Sequence, residues 1–283
     1  MDAGNFYWHK IVISAFLYTL MKKIPILPVA LIFLLSSCRK SDEYNALASL
    51  SANNENENQF RNRPNAEVRN CSILSVTYPL GTGRSNLLFK YNSSGDPTSI
   101  TRTSGAATGY PHFVFKYDNK KRLTDFIGVY NEILGEFWHR YFYDNRGNIV
   151  LDSVYIFPTI ASGFPANPYK RQVTYYSYDN KDRMIKDSTV IPGTGNPLVH
   201  RYTYGADGNK TGGVYDDQIN INRTNKVWMF LNRDYSVNNP FTSDAYNTFG
   251  LPVSFNLSSQ GGYFNFLKNA YPQAQINYSC DGN

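Results

Sequence analysis

Between residues 87 and 256, apolar and polar positions alternate in short period-two runs that are broken repeatedly by Asp, Asn and Gly. The phrase "YFYDNRGNIV" (141–150) is one such run with its break. Related phrases stand at "FKYNSSGDPTSI" (89–100), "FKYDNKKRLTDF" (115–126), "YSYDNKDRMIKD" (176–187), "YTYGADGNK" (202–210) and "AYNTFGLPVSF" (245–255). Aligned on Tyr91, Tyr117, Tyr143, Tyr178, Tyr204 and Tyr246, they recur at spacings of 26, 26, 35, 26 and 42 residues. A constant core with varying spacing indicates one structural unit joined by loops of different length. Two residues before the aligned tyrosine stand Phe89, Phe115, Tyr141, Tyr176 and Tyr202, while Lys90, Lys116, Phe142, Ser177 and Thr203 come one residue before. Large aromatics alternating with mostly smaller or charged residues mark a strand with one buried face.

In five of the six phrases the tyrosine is followed by Asp or Asn, and Gly95, Gly147, Gly208 and Gly250 lie four positions beyond it. An Asp or Asn side chain opens a turn by accepting backbone N–H groups ahead of it, and Gly closes the turn in a left-handed conformation. The stretches that follow, such as "IVLDSVYI" (149–156), read as return strands, so each phrase predicts one β-hairpin. The chain is therefore all-β, an antiparallel array of six hairpins in a twisted sheet that either stays open or curls towards a barrel. Asn225–Pro240 breaks the rhythm, and reads as a short helix or a loop covering one open end of the sheet.

Tyr143-Asp144-Asn145-Arg146-Gly147-Asn148-Ile149 resembles the core of the YD or Rhs-type repeat, and Tyr178-Asp179 through Met184 is similar to it. The resemblance covers about residues 87–256 and extends to small envelope lipoproteins of the Bacteroidetes with such hairpins. It implies the hairpin architecture. Long Rhs arrays build a cocoon around a toxin, and six units are too few for that. Four departures stand out: Lys121 and Asp182 replace the turn Gly, Gly205 replaces the Asp, and Asp244 interrupts the aromatic series.

Ahead of the repeats, "MKKIPILPVALIFLLSSC" (21–38) has two lysines, an apolar run, two small residues and a cysteine. This is the pattern of a secretory signal, and Leu35-Ser36-Ser37-Cys38 resembles the bacterial lipobox. The resemblance implies cleavage before Cys38 and acylation of its thiol, with the acyl chains holding the protein at a membrane. A transmembrane span including Ile11–Leu20 is the competing reading, but Lys22 and Lys23 interrupt it and Pro25 and Pro28 weaken a helix. Residues 1–20 are then expected to precede the true start, with the signal at 21–37. The polar stretch 38–67 forms a flexible tether, and the repeat domain spans 68–283. Ser41-Asp42-Glu43 is similar to the acidic export signal of Bacteroidetes lipoproteins, which implies an outer-membrane, outward-facing protein.

Composition supports the all-β reading through 23 Tyr and 18 Phe. Without residues 1–37 the formal charge is +4, from 25 basic and 21 acidic residues. The basic residues form no block along the chain, so no nucleic-acid partner is expected. Cys71 and Cys280 flank the folded region and read as a disulfide, with two free thiols as the alternative. His139 and His200 both stand four residues before an aligned tyrosine, a shared register that would suit a metal or acid–base site. Neither phrase supplies a further ligand, and the equivalent positions are Leu87, Phe113, Thr174 and Thr242, so packing is the favoured role. The Asp-Asn pairs at 118–119, 144–145 and 179–180 are explained by turns, and Asp216-Asp217 would face opposite ways on a strand. No catalytic residue, metal or cofactor is expected.

Three functions compete. The first is a lipid-anchored, non-catalytic interaction or structural module of the cell envelope, whose partner is an envelope protein. Capture of a polysaccharide is the second, with Trp138 and Trp228 stacking on sugar rings; Trp228, outside the repeat register, is the sharper test. The third is an enzyme acting on envelope polymers, for which His139 and His200 are the only candidates.

Overall fold

The computed structural model describes residues 71–80, 83–255 and 274–280, all within one unit, Leu50–Asn283. The proposed start at Met21, the signal 21–37, Cys38 and the tether 38–67 lie outside the described residues. The chain enters through Cys71–Leu80 (β1), and three full hairpins follow. They are Gly83–Tyr91 with Pro97–Arg102 (β2, β3), His112–Tyr117 with Leu123–Val129 (β4, β5), and Gly135–Tyr143 with Ile149–Ile156 (β6, β7). A small side hairpin, Thr159–Ala161 with Phe164–Ala166 (β8, β9), precedes a fourth full one, Tyr169–Tyr178 with Met184–Val190 (β10, β11). Leu198–Arg201 (β12) leads into the fifth phrase, which keeps only the bridge Tyr204↔Lys210. The sixth phrase is a short pair, Ala245–Tyr246 with Pro252–Phe255 (β13, β14), and Ala274–Cys280 (β15) ends the series.

Thirteen of these strands form one antiparallel sheet in the order β12-β11-β10-β7-β6-β5-β4-β3-β2-β1-β15-β14-β13. The end strands β12 and β13 do not pair with each other, so the sheet is open and no barrel closes.

Five of the six turns share one mechanism. Asp118 Oδ1 accepts the N–H groups of Lys120 and Arg122, both at 2.9 Å. Asn92, Asp144, Asp179 and Asn247 do the same two and four residues ahead. The fourth residue after each tyrosine has positive φ, including Lys121 at 60° and Asp182 at 56° where the sequence lacks Gly. The unit geometry thus overrides the local preference at a cost of about 1 kcal/mol for a side chain in that region. In the fifth phrase Gly205 has no side chain to offer, yet the backbone bonds Gly205 N to Asn209 O and Gly208 N to Gly205 O are kept.

The aligned tyrosines also tie each unit to its neighbour. The hydroxyls of Tyr117, Tyr143, Tyr178 and Tyr204 donate to the carbonyls of Pro97, Leu123, Ile149 and Met184, each six residues past the tyrosine of the preceding phrase. Two further bonds extend the series beyond the six phrases: Tyr278 donates to Pro252 O at 2.7 Å, and Tyr91 donates to Ile73 O at 2.9 Å. Tyr278 and Ile73 are themselves register partners, just as Tyr91 pairs with Pro97 and Tyr143 with Ile149. A seventh unit therefore exists, split between the two ends of the domain. Its first strand is β15, its return strand is β1, and the disulfide Cys71–Cys280 (S–S 2.04 Å) stands where the other units have a turn.

The segment 211–244 includes Asn225–Pro240, which contains a short helix, one of the two forms its sequence suggested, packed against the inner face rather than over an open end of the sheet. It forms a 3-10 turn at Ile221–Thr224 and a short helix, Lys226–Leu231 (α1), capped by Asn225 Oδ1 on Val227 N at 2.9 Å. The helix lies on the inner face of the sheet. Trp228 is wholly buried, with its ring edge-on to Phe89 (5.8 Å) and Phe115 (5.7 Å), and Phe230 meets Tyr141 and Tyr176 at 5.2 Å each. The inward aromatics of neighbouring strands leave a face too wide for their own side chains to fill, and α1 supplies the second layer a core requires.

Candidate functional site

The structure moves both tryptophans away from a sugar-stacking role. Trp228 is 0% exposed and is the largest fully buried side chain, so it is a core residue with no ring face for a ligand. Trp138 points to the outer face, but only 9% of it is exposed: Tyr155 stacks on it at 4.8 Å and its Nε1 donates to Asp125 Oδ1 at 2.7 Å.

His139 and His200 share a face, yet they are not neighbours. β6 and β12 are separated by β7, β10 and β11, so four interstrand steps, about 19 Å along the sheet, lie between them. Each imidazole instead pairs with an aspartate from the adjacent strand. His139 Nδ1 lies 2.7 Å from Asp152 Oδ2, and His200 Nδ1 lies 2.9 Å from Asp187 Oδ1. Tyr176 donates to Asp152 Oδ2 at 3.3 Å, Tyr202 donates to Asp187 Oδ2 at 2.5 Å, and Arg233 sits 3.6 Å from the same oxygen. Both carboxylates are buried, and Asp152 Oδ1 has no hydrogen-bond partner among the described residues. Burial pushes the Tyr141 and Tyr176 hydroxyls well above the ordinary tyrosine range, and the nearby Asp152 charge adds to it.

This network follows the repeat. Four residues before the aligned tyrosine stand Leu87 and Phe113 in the first two units, then His139, Thr174 and His200. Nine residues after it stand Ile100 and Phe126, then Asp152 and Asp187. Aligning the return strands as well as the Tyr strands would have exposed these two aspartates in the sequence. The inner face thus passes from apolar, where Trp228 packs, to polar, where Arg233 reaches in. Asp216 lies in a loop rather than a strand, and its two oxygens are taken by Gln218 N, Asn239 and the Tyr246 hydroxyl.

A cleft of about 300 Å³ opens on the turn side of α1. Tyr143, Tyr178, Tyr235 and Phe230 line its floor, and Arg122, Asn148, Asp182 and Lys226 stand around it. The hydroxyls of Tyr143 and Tyr178 are already bonded to backbone carbonyls, so a ligand there would meet ring faces and the charged groups.

At the opposite end of the strands, large apolar side chains project outward. Ile133 (66% exposed), Leu134, Phe157 (67%), Phe164 and Tyr169 belong to the loop before β6 and the segment from β7 to β10. Backbone pairing holds these segments together: Ile160 N donates to Ile133 O at 2.6 Å, Gly135 N to Pro158 O at 2.8 Å, and Leu134 bridges Thr159. Phe157 adopts a left-handed φ of 51°, an unfavourable conformation for a bulky side chain.

The chain matches no family model and no curated protein sequence. Among solved structures it is similar to the crystal structure of TcdB2-TccC3 (14% identity, TM-score 0.23), over 45% of this chain and 8% of that one. It is likewise similar to TcdB2-TccC3-TEV (13% identity, TM-score 0.22), over 62% of this chain and 10% of that one. The chain therefore spans about a tenth or less of the length of these neighbours.

Proposed function

We propose that the chain is a non-catalytic interaction module of the bacterial cell envelope, exported through the signal at 21–37 and held at the outer membrane by acyl chains on Cys38. The lipobox-like Leu35-Ser36-Ser37-Cys38 and the polar stretch behind it support the anchor, and the resemblance to Bacteroidetes envelope lipoproteins supports the setting. The partner is an envelope protein. The observation that carries this reading is the group of exposed apolar side chains around Phe157, fixed on a sheet and a side hairpin rather than on a free loop. Clustered apolar groups facing water are costly in an isolated protein and mark contact surfaces, and a bulky residue at positive φ is strain of the kind kept at working sites. Photo-cross-linking in cells from Leu134 and from Phe157 should yield the same envelope protein, and Phe164→Ser should abolish both products. Unrelated products, or none, would refute this reading.

Polysaccharide capture is a second reading, favoured by the cleft beside α1, whose aromatic floor and charged surround suit a hydroxylated ring. It replaces Trp138 and Trp228 with Tyr143, Tyr178 and Phe230 as stacking surfaces. Titration with envelope polysaccharide fragments, followed by chemical shifts of these rings, tests it; unshifted rings would exclude the cleft.

A further inference from the structure

The basic residues that look scattered along the sequence gather on one face once the strands pair. Lys90, Lys116, Arg140, Lys186 and Arg201 occupy outward positions, alternating with buried inward residues such as Phe89, Phe115, Tyr141, Asp187. None of these five cations forms a salt bridge among the described residues. Two acids share this face: Asp125 is the register partner of both Lys116 and Arg140 and accepts from the Trp138 indole, and Glu136 accepts from Gly109 N and the Tyr130 hydroxyl, whereas Lys90 faces Ser99, and Lys186 faces Ser177 and Arg201. Lys186 and Arg201 are direct register partners, an arrangement of like charges that costs stability unless an anion lies over it.

Between Arg140 on one side and Lys186 with Arg201 on the other runs an apolar row. Phe142 pairs with Leu151, Leu151 with Tyr175, and Tyr175 with Ser188, which faces Val199 on the edge strand β12. Phe142 is 47% exposed and Tyr175 51%. Cations bracketing aromatic side chains on a rigid surface match the membrane interface, where phosphates meet the cations and aromatic rings sit at headgroup depth.

We propose that this outer face, from β6 to β12, docks on an anionic lipid surface. Lys186, Arg201 and Arg140 contact headgroup phosphates, and Phe142 and Tyr175 enter the headgroup layer. The proposal deepens the anchored reading but is tested without the anchor: acylation of Cys38 is a separate mass measurement, and either result can fail alone.

The test uses Leu50–Asn283, the unit to which the core and the disulfide are internal. It is sedimented with phosphatidylcholine vesicles, with and without phosphatidylglycerol. Binding should require phosphatidylglycerol, fall as salt rises, and weaken at least about tenfold in Lys186→Glu with Arg201→Glu. Lys120→Glu with Lys181→Glu makes the same charge change at the turns and should bind as the parent does, while Phe142→Ser should weaken binding without changing the charge. Failure to bind phosphatidylglycerol vesicles would overturn the proposal, and so would equal losses from the two charge-reversed pairs. Unchanged binding by Phe142→Ser would also overturn it, pointing instead to a soluble polyanion.

Discussion

If the disulfide takes the place of a turn in the split seventh unit, removing it should act like cutting a hairpin at its loop. The perturbation is Cys71→Ala with Cys280→Ala. The bond joins residues 209 apart in sequence, and the chain-entropy relation for so long a loop gives about 5 kcal/mol of stabilisation, an upper figure if the unfolded chain is compact. That is a large part of the roughly 5–15 kcal/mol that holds a domain together. Urea unfolding should show the midpoint falling steeply, and hydrogen exchange should accelerate first at the ends of β1 and β15 next to residues 71 and 280, where the covalent link is lost while backbone pairing, the Tyr91 and Tyr278 hydroxyl bonds and the inward core side chains remain. A second variant makes the idea specific. Joining residue 280 to residue 71 through an Asp-Asn-Arg-Gly-Asn turn, with new termini in the exposed Gly193–Gly195 loop, restores a hairpin at the same place without cysteines. This permutant should recover most of the loss. A loss under about 1 kcal/mol in the alanine pair would refute the reasoning, as this is near the error of such comparisons. A permutant no more stable than that pair would refute it equally.

Four other outcomes follow from the same frame. Lys121→Gly should stabilise by about 0.5–1 kcal/mol in urea melts, since φ is already positive there, and Asp182→Gly should stabilise by less, because it also removes the Asp182 contacts to Arg146 and Asn148. Trp228→Ala should cost about 3–5 kcal/mol and soften the whole sheet, visible as collapse of near-ultraviolet dichroism; a loss under about 1 kcal/mol would contradict its central place. Alkali should be destabilising: burial raises the pKa of Tyr117, Tyr143, Tyr178 and Tyr204 well above the ordinary tyrosine range. The unfolded chain loses these protons above pH ~10 while the folded one keeps them, so stability falls as pH rises, by about 1.4 kcal/mol per pH unit per tyrosine; a flat melting temperature through that range would count against it. Phe157→Gly should relieve the strained φ and raise stability by about 1 kcal/mol while weakening cross-linking to the envelope partner.

The frame was legible because each unit spells out its own strand, turn and return strand within about fifteen residues, and such local signals survive without tertiary context. The seventh unit was not, because its halves lie at Ile73 and Tyr278 and neither half contains a turn. The packing of α1 on the inner face is not legible, because a break in period-two alternation says that a segment leaves the sheet, not which face it returns to. Trp228 looked exposed for the same reason: outside the register, nothing in the sequence assigned it to the core. The His–Asp pairs were missed because each joins two strands through pairing, so no single phrase contains a full set. The shared face of the cations is hidden in the sequence in a similar way. Lys90, Lys116, Arg140, Lys186 and Arg201 are widely spaced in sequence, and only strand parity brings them to one face.

These positions share a logic. The groups that build the array are the turn Asp or Asn, the positive-φ residue four past the tyrosine, and the hydroxyl that reaches the preceding unit, and all of them sit at one end of the strands. Positions four before and nine after the tyrosine, and all outward positions, carry none of that burden. They can vary without loss of register, and they do: Leu87 and Ile100 give way to His139 and Asp152, and outward Lys90 and Lys116 give way to Phe142. Residues that specify activity in such an array should therefore be sought where successive units differ. By that criterion the inner polar strip, the basic outer face and the rim at Phe157 outrank any residue of the repeated Tyr-Asp phrase.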